Sequence, residues 1–428
     1  MNNKYAKEEY CLNNGLKIIL QRTPTPRVFG RLRINHGGLH ELPGEEGRAH
    51  FLEHALLNGG TQKYTPGEQE LRRGRFGCSN ATTNRIETTF EAGFLPEKLE
   101  RYLDFVKETV FFPRLDERVI NQERQRILRE IADKKGESHF EDYQLLIKEV
   151  TRSFEHSYFV LGREEVVETS TGKNLRDFYE RGYSINNADL ILVGNLPEDT
   201  LKLIEDYFKD LPQGPGKKIS LPKVSPLEEK VLIHSAAPDL LVRGDPKKSN
   251  SHLNLWTIVP DESHPDNAPL RVLSDILGGT GGISRLLKRV SNEEGLAYRI
   301  SGGYDGKFQC GYFCIDGSVL AQQSDRAIDC IFEEMALLKE GKVGEEECEQ
   351  SKNRINYEFA ENLERSQDRV ESLEYEFDTG ITTEDLIAQV NAVTPASIQL
   401  AAQKYLPSNR SSPHVLLLRD PLKSHPSR

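Results

Sequence analysis

Two histidines and a glutamate crowd into one short stretch of this chain, GRAHFLEHALLNGG (47–60). Phe51, Leu52, Ala55, Leu56 and Leu57 describe a largely buried helix, on which His50 and His54 stand four residues apart. Positions i and i+4 share a helix face, so both imidazoles can bind a single ion. Glu53, three residues after His50 and one before His54, can set a carboxylate beside that ion. Catalytic zinc usually takes three protein ligands and keeps one position open, so a third ligand must come from elsewhere. The run DERVINQERQRILREIADKK (116–135) offers Glu123 and Glu130, seven residues apart along one helix face, read as lying opposite an apolar stripe of Val119, Ile120, Ile127 and Ile131. Spacing alone leaves the choice between the two glutamates open.

The order H-x-x-E-H is the inverted zincin pattern, and the elements around it must hold it rigidly. At 428 residues the chain exceeds a single core, since cores split at roughly 250–300 residues. Alternating apolar runs, LKIIL (16–20), VFGRLRI (28–34), IETTFEAGF (86–94) and ADLILVG (188–194), predict strands. Between them lie amphipathic helical runs, from about Pro96 to Phe111, from about Asp116 to Lys135, and PEDTLKLIEDYFKDL (197–211). The Pro- and Gly-rich text of 213–230 reads as a linker between a first domain, 1–212, and a second, 231–428. After it the order of strands and helices repeats, with strands near 231–234, 252–259, 298–304 and 308–319. A long helical stretch is expected from Gly344 to Tyr375, and a strand at HVLLL (414–418). Strands mixed with helices without strict alternation predict an α+β fold.

Composition narrows the classes. No run approaches the roughly 20 apolar residues that cross a bilayer. A net charge of −11 disfavours nucleic acid, whose phosphates reward clustered Lys and Arg. Six irregularly placed Cys form neither a zinc knuckle nor a disulfide framework, and no export or import signal precedes LKIIL, so a reducing cytoplasm is expected. Without export, the NAT at Asn80 and the NRS at Asn409 carry no weight as glycosylation sites.

Several segments together resemble the pitrilysin and mitochondrial processing peptidase family: NNGLKIIL (13–20), GEEGRAHFLEHALLNGGT (44–61), NATT (80–83), QERQRILREI (122–131), VLGREEVVETST (160–171), GNLPEDTLKLIEDYFKDLP (194–212), SRLLKRVSNEEGLAY (284–298), VNAVTP (390–395) and AAQKYLPS (401–408). The resemblance covers nearly the whole chain. It implies two homologous α+β domains, each a mainly antiparallel sheet packed against helices, with the metal only in the first; the equivalent helix of the second half reads LRVLSDIL. It implies one zinc ion per chain held by His50, His54 and the later glutamate, Glu130, with Glu123 supporting the ligands and Glu53 as general base. It further implies that the strand of Asn80 and Ala81 takes up the peptide as an added strand and that Tyr298 helps hold it. The implied activity is a zinc metalloendopeptidase acting on unfolded or short peptides inside a chamber closed by two chains, as a homodimer or with a homologous partner.

One departure stands out. The family commonly has Arg seven residues before the Tyr of GLAY, and here that position is Ser291, so the Arg is missing unless Arg289 or Arg285 reaches in. A heterodimer whose partner supplies substrate binding would accommodate the loss. Two other readings compete: a catalytically silent subunit, disfavoured by the intact motif and distant glutamate, and a small metal-dependent lyase, disfavoured by the duplicated length. His36 and His40 read as surface or strand-end residues, GGTGGISR (278–285) as a turn without the G-K-[ST] of a phosphate loop, and Cys310 and Cys314 as packing residues on one strand face.

Overall fold

A computed structural model describes residues 6–135, 140–152, 160–216, 218–219, 224–236, 250–279, 283–306 and 311–420. Cys310, part of the linker at 213–230 and the middle of GGTGGISR lie outside the described residues. The chain divides into two compact units, neither continuous in sequence: 1–137, 158–220 and 362–380 form the first, and 138–157, 221–361 and 381–428 the second.

The first unit is built on six strands, β1 (Lys7–Cys11), β2 (Lys17–Arg22), β3 (Val28–Ile34), β4 (Cys78–Thr83), β5 (Thr88–Phe94) and β6 (Ala188–Gly194), in the spatial order β1-β2-β6-β3-β5-β4. Only β2 and β6 pair in parallel. Its helices include α1 (Arg48–Asn58), α2 (Pro66–Arg73), α3 (Leu99–Phe111) and α4 (Glu117–Lys135). All seven residues of β3 are buried because both faces of the sheet are covered. A Cβ on Gly30 would collide with Tyr102 of α3 on one face. On the other, Ile19, Phe29, Ile191 and Val193 pack against Val370 and Leu373 of the helix Ser366–Thr379.

The second unit carries β7 (Val231–Ala236), β8 (Asn250–Val259), β9 (Ala297–Asp305), β10 (Gly311–Leu320) and β11 (Val415–Asp420) in the order β7-β11-β8-β10-β9. That is the order of β2 to β6 repeated strand for strand, with the parallel pair, β7 and β11, in the same place. The α+β architecture of two similar domains is therefore present.

The expected long helix from Gly344 to Tyr375 is two helices, Glu345–Glu364 and Ser366–Thr379, broken where Arg365 takes an extended conformation. The break allows the second helix to pack on β3 and β6 of the first unit. The reciprocal occurs with α5 (Phe140–Thr151), which follows α4 in sequence but packs on β8 and β11 of the second unit through Leu146, Ile147 and Val150. Each sheet thus has the equivalent face covered by a helix from the other half of the chain.

Candidate metal centre

Helix α1 is buried nearly throughout, with Ala49, His50, Phe51, Leu52, Glu53, Ala55 and Leu56 all inside. Its first turn is held by Glu41, whose carboxylate accepts from the backbone N–H groups of Gly47 at 3.0 Å and Ala49 at 2.7 Å. An acceptor there satisfies donors that a helix start leaves unpaired and complements its dipole. Gly47, the residue before the helix, has φ +104°, and a Cβ on it would meet the backbone of Gly162 at 2.8 Å. Glycine alone tolerates both conditions. Sequence reasoning missed Glu41, because nothing in its spacing from the motif marks it as a cap.

On this helix the His50 and His54 rings stand 4.6 Å apart, nearly perpendicular. Across from them on α4, Glu130 Oε2 lies 3.7 Å from His50 Nε2 and 3.6 Å from His54 Nε2. One donor atom from each of the three residues falls within 4.8 Å of the others, and among the described residues this is the one such cluster. The separations exceed a hydrogen bond, so the three groups face a gap rather than each other. Ligands about 2.0–2.1 Å from a tetrahedral ion stand about 3.4 Å apart, so two imidazoles and a carboxylate at these distances suit zinc.

Glu123 sits behind the ligands, 2% exposed. It accepts from His54 Nδ1 at 3.2 Å, Asn58 Nδ2 at 3.0 Å and Arg126 Nη1 at 2.7 Å. A carboxylate on Nδ1 fixes the tautomer that leaves the Nε2 lone pair for a metal. Glu123 is not opposite the apolar stripe of α4, as the sequence reading had it, but within it, buried together with Val119, Ile120, Ile127 and Ile131. The correction follows from helix arithmetic: successive steps of three, four and three from Ile120 lead to Glu123, Ile127 and Glu130 along one face.

Electrostatics separate the histidines. Burial, reinforced by the neighbouring His54, lowers His50 to about 3, leaving it a neutral imidazole. Burial also works against protonated His54, but the hydrogen bond to Glu123 and the charges of Glu53, Glu130 and Glu123 outweigh it and raise its pKa. Glu53 is 6% exposed, and burial raises its pKa against the opposing pull of His54 and Thr83. Its Oε2 accepts the Thr83 hydroxyl at 2.9 Å, tying it to β4.

Asn80 is exposed and Ala81 buried on β4, which pairs with β5 on one side and has no neighbour on the other among the described residues. Tyr298 belongs to the second unit and is 89% exposed on β9, at a register shift where Ala297 and Arg299, but not Tyr298, have partners on β10. Neither nearby arginine is free. Arg285 is engaged by Glu347, Glu334 and the Lys342 carbonyl, and Arg289 by Glu293, Glu294 and Glu333. Ser291 donates to the carbonyl of Ala297 at 2.8 Å. His36 is a strand-end residue but not a surface one: it is 3% exposed beside His40, Phe178 and Tyr183, and burial lowers its pKa to about 3.

The amide of Asn58 is oriented from behind by Arg73, which donates to its Oδ1 at 2.9 Å. Replacing Asn58 with Ala removes one of the three donors that hold Glu123, and zinc affinity is expected to fall about 10-fold. Competition with a chromophoric chelator measures it; an unchanged affinity would remove Asn58 from the support of the site.

No described helix is long and apolar enough to cross a membrane. Residues 17–152 match the family model described as insulinase (peptidase family M16), and residues 170–355 match the peptidase M16 inactive domain. The chain is 27% identical over 390 residues to the uncharacterized zinc protease YmxG of Bacillus subtilis, covering 90% of this chain and 92% of that one. It is 26% identical over 297 residues to the mitochondrial-processing peptidase subunit beta of Caenorhabditis elegans, covering 67% and 62%. With Protease 3 of Escherichia coli it shares 24% over 382 residues, 85% of this chain but 38% of that one. In fold it is similar to a protease from Helicobacter pylori, with a TM-score of 0.83 and 21% identity over 96% and 99% of the two chains. With both halves matched by the family's paired models, and with a duplicated fold that carries H-x-x-E-H in the first half alone, the chain belongs to peptidase family M16, the insulinase family.

Proposed function

We propose that this chain is a zinc-dependent endopeptidase that hydrolyses unfolded or short peptides. The observation that supports it best is the convergence of His50, His54 and Glu130 on one gap, with the carboxylate of Glu53 on the same helix and an unpaired strand edge joined to it through Thr83. Zinc held by these three ligands would polarise the scissile carbonyl and make a water more acidic. Glu53 takes the proton of the attacking water and delivers it to the departing amine nitrogen. Its burial keeps competing water away and raises its basicity. Glu123 holds His54 in the tautomer that offers Nε2 to the ion. A peptide adds to β4 beside Asn80 and Ala81, where backbone pairing accepts many sequences and runs the chain past Glu53. Tyr298 contributes a further substrate contact. The cytoplasm remains the proposed compartment, in keeping with the free thiols Cys11, Cys78, Cys314, Cys330 and Cys348.

Two such chains, alike or homologous, close the chamber. The engagement of Arg285 and Arg289 in ion pairs favours the heterodimer, in which a partner contributes substrate-binding groups that this chain lacks.

The test is hydrolysis of a mixed set of unstructured peptides by the purified chain, before and after a chelator and again with zinc restored. Activity is expected to vanish and return with the metal. Hydrolysis indifferent to the chelator would overturn the reading. If the zinc-loaded chain is inert alone and active once a homologous chain is added, the heterodimer is the working enzyme.

A further inference from the structure

Thr83 is the last residue of β4 and stands directly opposite Thr88 of β5. A hydroxyl carries one proton. The Thr88 hydroxyl spends its proton on the carbonyl of His36 at 3.0 Å, deep in the unit, and its oxygen lies 3.5 Å from that of Thr83. The Thr83 proton therefore has one short acceptor among these neighbours, Glu53 Oε2 at 2.9 Å. A hydrogen bond from a neutral donor to a carboxylate stabilises the ionised form and fixes its direction.

A plain packing role would not require this arrangement. Valine fits a strand as well as threonine and fills the same volume, and a buried hydroxyl with no acceptor would be a cost rather than a gain. Among the described residues, Thr83 is the one side chain of the edge strand that a hydrogen bond ties to α1. The strand whose outer edge is unpaired is thereby the one that holds the carboxylate beside the metal ligands.

We propose that Thr83 is a positioning residue for the reaction: from β4 its hydroxyl aims the carboxylate of Glu53, so that the strand accepting the peptide also orients the base. This rests on the peptidase reading given above. Thr83 touches neither the ligands nor the peptide's reacting atoms, and acts through Glu53.

The test compares Thr83→Val and Thr83→Ser with wild type, all loaded with zinc. For Thr83→Val, kcat is expected to fall about 10- to 100-fold with KM nearly unchanged, the loss expected when a reacting group is misplaced by about 1 Å, while zinc content and affinity stay at the wild-type level. Thr83→Ser, which keeps the hydroxyl, restores most of kcat. A purely structural role predicts instead that both substitutions act alike or that KM and metal affinity move together. A crystal structure of each variant gives a readout independent of turnover: the Glu53 carboxylate leaves its place in Thr83→Val and keeps it in Thr83→Ser. An active wild type with an equally active Thr83→Val, or an unmoved Glu53, overturns the inference while leaving the peptidase reading intact. Zinc-loaded wild type that cleaves no peptide, with or without a homologous chain, overturns the reading and the inference together.

Discussion

Glu53→Gln is expected to lower kcat/KM for an unstructured peptide by about 100- to 10,000-fold, the range that a positioned general base contributes, while metal content remains that of wild type. The substitution keeps the size of the side chain and a hydrogen-bonding partner for Thr83, so the buried position is not left empty. It removes the one property the mechanism uses, the capacity to accept a proton from water and return it to the leaving amine. The three converging donors belong to His50, His54 and Glu130, so zinc is retained. Kinetics paired with elemental analysis decide the matter. A variant that cleaves like wild type would eliminate Glu53 as the base, and one that loses its metal would make Glu53 part of the binding site instead.

The second large effect concerns stability. Arg33, in the middle strand β3, is 1% exposed. Its guanidinium donates to Asp189 Oδ2 from Nε at 3.0 Å and Nη2 at 2.8 Å, and to Asp378 from Nη1 at 2.7 Å, while Glu87 lies 3.6 Å away. Asp378 comes from the helix Ser366–Thr379, so the arginine fastens the borrowed helix to the sheet of the first unit. Arg33→Met retains the length of the side chain but takes the guanidinium from buried Asp189 and leaves Asp378 with Lys218 alone, 2.6 Å away. Removing one partner of a buried pair typically costs about 3–5 kcal/mol, and that loss is expected here.

The sign with pH follows from Asp378. Burial alone would raise its pKa, but Arg33 and Lys218 carry it below the ordinary value. Its contribution is present above the unfolded pKa, about 3.9, and disappears as pH falls through the lower folded value. The penalty of Arg33→Met is therefore largest near neutral pH and shrinks in acid. Because two units need not unfold together, the measurement is urea unfolding accompanied by hydrogen exchange of residues 366–379. Protection of that helix unchanged from wild type at pH 7 would show that the buried arginine does not hold it.

The motif, its helix and the distant E-x6-E were legible in the linear chain because their spacing is a property of a single helix: four residues bring His50 and His54 to one face whatever surrounds them. The repeated order of strands and helices was legible for a similar reason, since alternation and helical period are local. Tertiary structure decided the rest. Which glutamate faces the gap and which one supports His54 depends on how α4 crosses α1, so the residues alone left Glu123 and Glu130 as equals, and only resemblance to a family chose between them. The exchange of α5 and Ser366–Thr379 between the units was invisible, because an amphipathic helix records that it has an apolar face but not which sheet will cover that face. Arg31 and Arg33 sit in the run VFGRLRI that alternation marks as a strand, but their partners come from distant segments: Glu91 and Asp189 from neighbouring strands, Glu374 and Asp378 from the borrowed helix. Local periodicity can be read from one segment; the pairing of charges between segments far apart in sequence exists only once the chain has folded.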